Sequence, residues 1–319
     1  MRAFIFPGQG SQSVGMGAAL AAASPAAREV FGEVDEALGQ NMFRIMTEGP
    51  ADALQLTENA QPAIMANAIA TLAVLEKEGG IRLADKADYV AGHSLGEYSA
   101  LRAAQSFDLA TTARLLKLRG RAMQAAVPVG EGAMAALLGA DLDKARTIAG
   151  AAVDAILAEG GAELVCTVAN DNDPSQVVIS GHRAAVEKAV ALAKELGAKR
   201  AVLLPVSAPF HCPLMADAAT AMEAALLDAT LSAPLVPVYC NVDAAPIADP
   251  GAIRVALVQQ VTGMVRWRES VLAMAAAGVT EFVEFGGKVL APMVKRIAPD
   301  VEAVSVVTMD DVEALLSKI

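Results

Sequence analysis

The sequence predicts an α/β protein whose main unit is interrupted by a smaller βαββαβ module. Three observations carry this. Short apolar runs bounded by turn residues alternate with longer stretches of helical spacing. Residues 133–206 read strand, helix, strand, strand, helix, strand, the ferredoxin-like split unit, entered through Pro128-Val129-Gly130-Glu131-Gly132. The 319 residues are 55% hydrophobic and 19% charged, enough for about two domains or one large α/β unit with a proper core. Residues 1–127 and 206–319 are expected to form the main unit and residues 128–205 the inserted one.

Each element has its own signal. Residues 3–6 are an apolar run stopped by Pro7-Gly8, a buried strand. Ser24-Pro25 reads as a cap and first-turn proline, followed by Val30, Phe31, Val34 and Leu38 at helical spacing up to Gly39. A second, buried helix is predicted over 62–78. Residues 89–91 form a brief strand, and helices follow over 97–105 and 109–126, the latter capped by Asp108. The module reads strand 133–138, helix 141–158, strands 164–169 and 176–180, helix 182–196 and strand 200–206. Strands near 235–240 and 281–285 and a terminal helix complete the chain.

Composition excludes several function classes. The formal net charge is −11, from 25 Lys+Arg against 36 Asp+Glu, which argues against a nucleic-acid-binding surface. Mean hydropathy is +0.43, largely from alanine, and no apolar run reaches the ~18 residues of a membrane span. Cys166, Cys212 and Cys240 lie far apart with no C-x-x-C, so neither a metal site nor a disulfide framework is implied. The opening residues show no secretory or transit character, so a cytoplasmic protein is expected.

Gly92-His93-Ser94-Leu95-Gly96 is a G-x-S-x-G pattern between a strand and a helix, the context a nucleophile elbow requires. The glycines permit a sharp turn, and the following helix aims its first N–H groups at developing negative charge. A serine needs a base, and the chain has 3 histidines. His93 adjoins the serine, so its side chain should diverge. His182 starts a helix in the module. His211 follows a strand in the proline-stiffened loop 205–213 and is the base candidate. Cys212 is a rival nucleophile, but nothing in the sequence lowers its pKa, and packing explains it. No motif singles out a triad acid. Asp171 and Asp173 fall in a loop of the module. The pattern therefore points to a Ser–His dyad oriented by backbone, adequate for an activated donor such as a thioester.

On helix 109–126, Arg114, Lys117 and Arg121 share one stripe. Arg119 points roughly 140–160° away, among Thr112, Leu115, Leu116 and Met123. A core-facing arginine must be paired or face a ligand. Two readings follow: an internal Arg–Glu pair, or a guanidinium fork for a substrate carboxylate. Phe6-Pro7-Gly8-Gln9-Gly10-Ser11-Gln12 is not a dinucleotide fingerprint, because Ser13 stands where glycine is needed. Gly286-Gly287-Lys288 is not a P-loop, because Val289 follows the lysine. Gly8 and Gly10 instead free the backbone around Gln9 to donate an N–H, as the second oxyanion donor does in such loops.

These segments resemble the malonyl-CoA:acyl carrier protein transacylase family over nearly the whole chain. The resemblance rests on residues 6–12, 92–100 and 118–123, together with Gln176-Val177-Val178-Ile179-Ser180-Gly181 and Ser207-Ala208-Pro209-Phe210-His211-Cys212-Pro213-Leu214-Met215. It implies an α/β-hydrolase-like core carrying a ferredoxin-like insertion. It implies that Ser94 takes a malonyl group from coenzyme A, that His211 is the base and then the acid, and that the Gln9 and Leu95 amides hold the oxyanion. Arg119 would grip the malonyl carboxylate, with Phe210 and His93 in the substrate pocket. The main-chain carbonyl of Gln260, with Gln259 the alternative, would orient the histidine. The implied partners are malonyl-CoA, with no further cofactor, and an acyl carrier protein of fatty-acid or polyketide synthesis. Lys288, Lys295 and Arg296 are the candidate docking patch, with an ordinary solvated face as the other reading, and a monomer is expected. The competing functions are a serine esterase or thioesterase, and a silent acyl-binding scaffold.

Overall fold

The computed structural model describes residues 1–319. Its strands are β1 (Arg2–Phe6), β2 (Tyr89–Gly92), β3 (Gly132–Leu138), β4 (Cys166–Asp173), β5 (Gln176–His182), β6 (Arg200–Leu203), β7 (Val238–Cys240), β8 (Ala245–Ile247), β9 (Glu281–Phe285) and β10 (Glu302–Val306). Six form one sheet in the order β10-β9-β1-β2-β7-β8. It is parallel from β10 to β7, and β8 closes the edge antiparallel. The other four form a separate antiparallel sheet, β4-β5-β3-β6. No helix is long and apolar enough to cross a membrane.

The central strand shows why this sheet is buried on both faces. Phe4 and Phe6 point into a cluster of 60 buried residues, while Ala3 and Ile5 point into one of 14 around Trp267 and Phe282. Alternating residues thus serve opposite helical layers, and an uninterrupted apolar run results. Strand β3 divides its faces the same way. Ala133, Ala135 and Leu137 pack under the module's helices Leu142–Ala158 and Arg183–Leu192, whereas Met134 and Ala136 join the main core.

The two sheets are tied together through β4. Asp171 N donates to Val265 O at 3.0 Å, and Val265 N donates to Ala169 O at 2.9 Å. Asp171 pairs with Arg268 and Asp173 with Arg296, each at 2.8 Å, and both carboxylates are 1% exposed. Sequence reading puts these aspartates in a loop. They instead end β4 and anchor it.

Several boundaries move. The helix predicted over 62–78 begins five residues earlier, as Thr57–Ala73 with Pro62 inside it, and continues as a π-turn over Val74–Glu78. Every one of its residues except Glu58 is buried, so packing all round outweighs the hydrogen bond the proline forfeits. The helix predicted over 97–105 starts at Leu95, directly on the serine turn. Strands β8 and β10 were not predicted. Both are edge strands, and β8 carries a proline.

Candidate active site

Strand β2 ends at Gly92, and two residues later Ser94 turns with φ 54° and ψ −111° into the helix Leu95–Ala103. Such a conformation is strained for a non-glycine residue. Both flanking glycines are needed here. A Cβ on Gly92 would lie 1.9 Å from the Gly96 carbonyl group, and one on Gly96 would lie 2.2 Å from Phe6 O. The polar groups of the serine's own backbone are taken up by side chains. Ser94 N donates to Asn241 Oδ1 at 2.7 Å, and Gln260 Nε2 donates to Ser94 O at 3.0 Å. Asn241 Nδ2 also donates to Gly92 O at 2.7 Å, so one amide bridges the whole turn.

His211 is buried, with φ 58°. Its Nδ1 faces the carbonyl oxygens of Gln260 at 2.9 Å and Gly263 at 3.1 Å. Both are acceptors, so Nδ1 carries the hydrogen and Nε2 is the free lone pair. That Nε2 lies 2.8 Å from Ser94 Oγ. Burial, reinforced by the charge of Arg119, pushes the imidazole pKa down to about 3. The ring is therefore neutral at neutral pH and able to accept a proton.

Arg119 comes from the helix Leu109–Ala125 and is 1% exposed. Its Nη1 donates to Gln61 Oε1 at 3.0 Å, and its Nη2 donates to Gln260 Oε1 at 2.8 Å and to Ser94 Oγ at 3.1 Å. Its Nε has no partner. The guanidinium carbon stands 5.7 Å from the centroid of the Tyr98 ring. No carboxylate lies within ion-pair distance, and burial lowers the guanidinium pKa. The internal Arg–Glu pair is therefore absent, and a buried cation held only by neutral acceptors is suited to an incoming carboxylate.

These groups meet in a cavity of about 250 Å³, walled also by Gln9, His93, Leu95, Met123, Met134 and Phe210. The Gln9 amide, in the turn after β1, donates to no protein acceptor. The Leu95 amide, first in its helix, has no intrahelical acceptor. Both residues line the same cavity as Ser94.

Sequence comparison adds the lineage. The acyl transferase domain family matches residues 3–288. The malonyl CoA-acyl carrier protein transacylase of Escherichia coli strain K12 is 47% identical over 302 residues, 94% of each chain. The Bacillus subtilis transacylase is 42% identical over 312 residues, 98% of this chain and 95% of that one. The chain belongs to the malonyl CoA-acyl carrier protein transacylase family. The crystal structure of the acyl-carrier-protein S-malonyltransferase of Bartonella henselae superposes with a TM-score of 0.94 at 52% identity, covering 99% of this chain and 98% of that one. A malonyl-transacylase solved in complex with a holo type II PKS acyl-carrier protein superposes at 0.93 and 37% identity, covering 100% and 99%.

In this transacylase-family member the structure brings Ser94, His211, Arg119, Gln9, Leu95, Phe210 and His93 to one cavity. Gln260, rather than Gln259, carries the carbonyl that faces His211. His93 diverges from the serine and meets Asn172 Oδ1 at 2.8 Å. His182 accepts from Val165 N inside the module. Cys212 is buried, donates to Pro209 O, and burial raises its thiol pKa, in keeping with a packing role. Lys117 shares its stripe with Arg121, both pairing with Glu58, and is itself buried against Gln40 and Asn59. Of the candidate docking residues, Lys288 is exposed beside the Gly10 turn, Lys295 donates to Pro299 O and Val301 O, and Arg296 pairs with Asp173. No group of three or more His, Cys, Asp or Glu is placed to hold a metal ion. Sequence reasoning missed Asn241, Glu97 and Gln61. Glu97 falls inside the Gly92–Ala100 segment, which is the one signal that pointed its way. Asn241 and Gln61 carry no motif of their own.

Proposed function

We propose that this chain moves a malonyl group from coenzyme A, through a seryl ester on Ser94, to the phosphopantetheine thiol of an acyl carrier protein. The observation that carries the reading is the meeting of three groups: Ser94 Oγ 2.8 Å from a neutral His211 Nε2, with the carboxylate-free Arg119 reaching the same oxygen at 3.1 Å. The malonyl carboxylate docks on the guanidinium, which puts the thioester carbon beside the serine. His211 Nε2 takes the hydroxyl proton as Oγ bonds to that carbon. The Gln9 and Leu95 amides hold the oxyanion. Collapse breaks the C–S bond, and His211 returns the proton to the departing coenzyme A thiol. The carrier thiol then repeats the steps in reverse, giving up its proton to His211 and displacing Ser94.

The same reading treats residues 1–127 and 206–319 as an α/β-hydrolase-like core and 128–205 as a ferredoxin-like insertion that walls the acyl pocket. The strand order β4-β5-β3-β6 supports the second description. It takes the coenzyme A thioester as substrate with no resident cofactor, a cytoplasmic monomer as the working form, and Lys288, Lys295 and Arg296 as the face for the acidic carrier. Mixing the protein with malonyl-CoA and digesting it tests the chemistry. Mass spectrometry is expected to find a malonyl adduct on the peptide holding Ser94, discharged by holo carrier protein and absent from Ser94→Ala. An unmodified serine, or an adduct lost to water as fast as to the carrier, would refute transfer.

A further inference from the structure

Resting on that reading, we propose that Glu97 is a positioning residue for acyl choice, acting on Arg119 through the side chain of Gln260. Glu97 sits in the first turn of the helix that begins at Leu95, is 1% exposed, and makes no ion pair. Its Oε2 accepts from Gln260 Nε2 at 2.8 Å and from Asn241 N at 3.0 Å. The Gln260 amide therefore has one allowed sense. Its nitrogen faces three acceptors, Glu97 Oε2, Ser94 O at 3.0 Å and Asn241 Oδ1 at 3.3 Å, and its oxygen is turned to Arg119 Nη2 at 2.8 Å. Reversing the amide would set oxygen against three oxygens and NH₂ against a guanidinium.

The consequence is specific to a substrate with a carboxylate. Arg119 is held in the plane set by Gln61 Oε1 and Gln260 Oε1, and that plane determines which way its remaining N–H groups face. Glu97 and Arg119 are also coupled electrostatically, with Tyr98 and His211 as the other titratable groups near the guanidinium and Tyr98, Asp243 and Cys240 near the carboxyl. Burial raises the Glu97 pKa to about 7 despite these bonds. A buried carboxyl costly to ionise, with its Oε1 unpartnered, is a poor choice for packing alone. It is explained by what its other oxygen holds in place.

The test compares Ser94 acylation by malonyl-CoA and by acetyl-CoA in the full chain, using kcat/KM for each from quenched mass spectrometry. Glu97→Ala removes the acceptor, and Glu97→Asp keeps the charge but withdraws it from Gln260. Both are expected to lower the malonyl-to-acetyl ratio by ~10-fold or more, because Gln260 loses the acceptor that fixes its sense toward Arg119. Glu97→Gln keeps an oxygen for Gln260 and is expected to hold the ratio within ~3-fold of wild type. A folded Glu97→Asp or Glu97→Ala whose two rates fall together, ratio intact, would overturn the inference and leave a merely structural residue. Equal loss of the ratio in Glu97→Gln would overturn it too. A wild-type chain that takes no malonyl group would overturn the transfer reading itself, and with it this one.

Discussion

Replacing Arg119 by alanine is expected to separate acyl choice from acyl transfer. A malonyl carboxylate on this guanidinium would make charge-assisted bonds in a site that is 1% exposed. Their loss, with the carboxylate then facing Gln61 and Gln260 oxygens, costs about 2–4 kcal/mol, or ~30–1,000-fold in kcat/KM for malonyl-CoA. Acetyl-CoA carries no carboxylate and forgoes only the 3.1 Å donation to Ser94 Oγ. Against that loss, the Arg119 charge is the second cause of the low His211 pKa, so its removal makes the base stronger. Acetyl transfer is therefore expected to stay within ~10-fold of wild type, or to rise. Single-turnover acylation of Ser94 by each thioester, quenched and weighed, reads the two rates directly. Circular dichroism and a thermal melt establish that the variant is folded. Equal loss of malonyl and acetyl transfer in a folded variant would refute the carboxylate clamp.

Two further outcomes follow from the site. Gly96→Ala would drive a Cβ to 2.2 Å from Phe6 O, a backbone atom of the central strand that cannot yield. Several kcal/mol of stability should be lost along with activity, and a variant that melts and acylates like wild type would show that the elbow tolerates a side chain. The native His211 pKa of about 3 lies below the ordinary 6.5. The imidazole thus contributes stability that is present above pH 6.5 and lost as pH falls toward 3. Denaturant titrations of wild type and His211→Gln should converge over that window, and kcat/KM for malonyl-CoA should show no acidic limb near pH 6.5. A limb there would mean the ring is not held neutral by its surroundings.

What the sequence disclosed and what it hid have physical reasons. The glycines around Ser94 were legible because steric demand confines their positions to glycine. Arg119 was legible because helical periodicity gives the direction of a side chain, and an arginine on an apolar face is anomalous. Direction does not give partners. The same periodicity set Lys117 on one stripe with Arg121, and both pair with Glu58, but it could not show that Asn59 and Gln40 also bury the lysine. Arg296 is exposed, as read, but its pairing with Asp173 was hidden because that residue lies 123 positions away. Asn241 was invisible for the same reason: an asparagine after a short strand is an ordinary turn residue until Ser94 N and Gly92 O are found on either side of it. The edge strand β10, exposed or half-exposed except at Val306, lacks the apolar run that marked β1.

The one hydrogen bond at the centre of the site joins two strained residues. Ser94 and His211 both have positive φ and neither is glycine, a combined cost of about 2–6 kcal/mol. What offsets it comes almost entirely from one stretch of chain. Asn241 and Gln260 saturate the serine backbone, and the carbonyls of Gln260 and Gly263, at the end of the helix Pro250–Thr262, hold the imidazole. All of it lies beyond the antiparallel sheet in sequence, whereas the serine lies before it. That sheet supplies none of these bonds. It contributes Met134 and Asn170 to the wall of the cavity, where the acyl group would rest. It also borders both strained residues: Asn172 of β4 meets His93, next to Ser94, and the β4 backbone pairs with Val265, two residues past the Gly263 carbonyl that faces His211, so a change of pocket shape through β4 reaches both ends of that hydrogen bond.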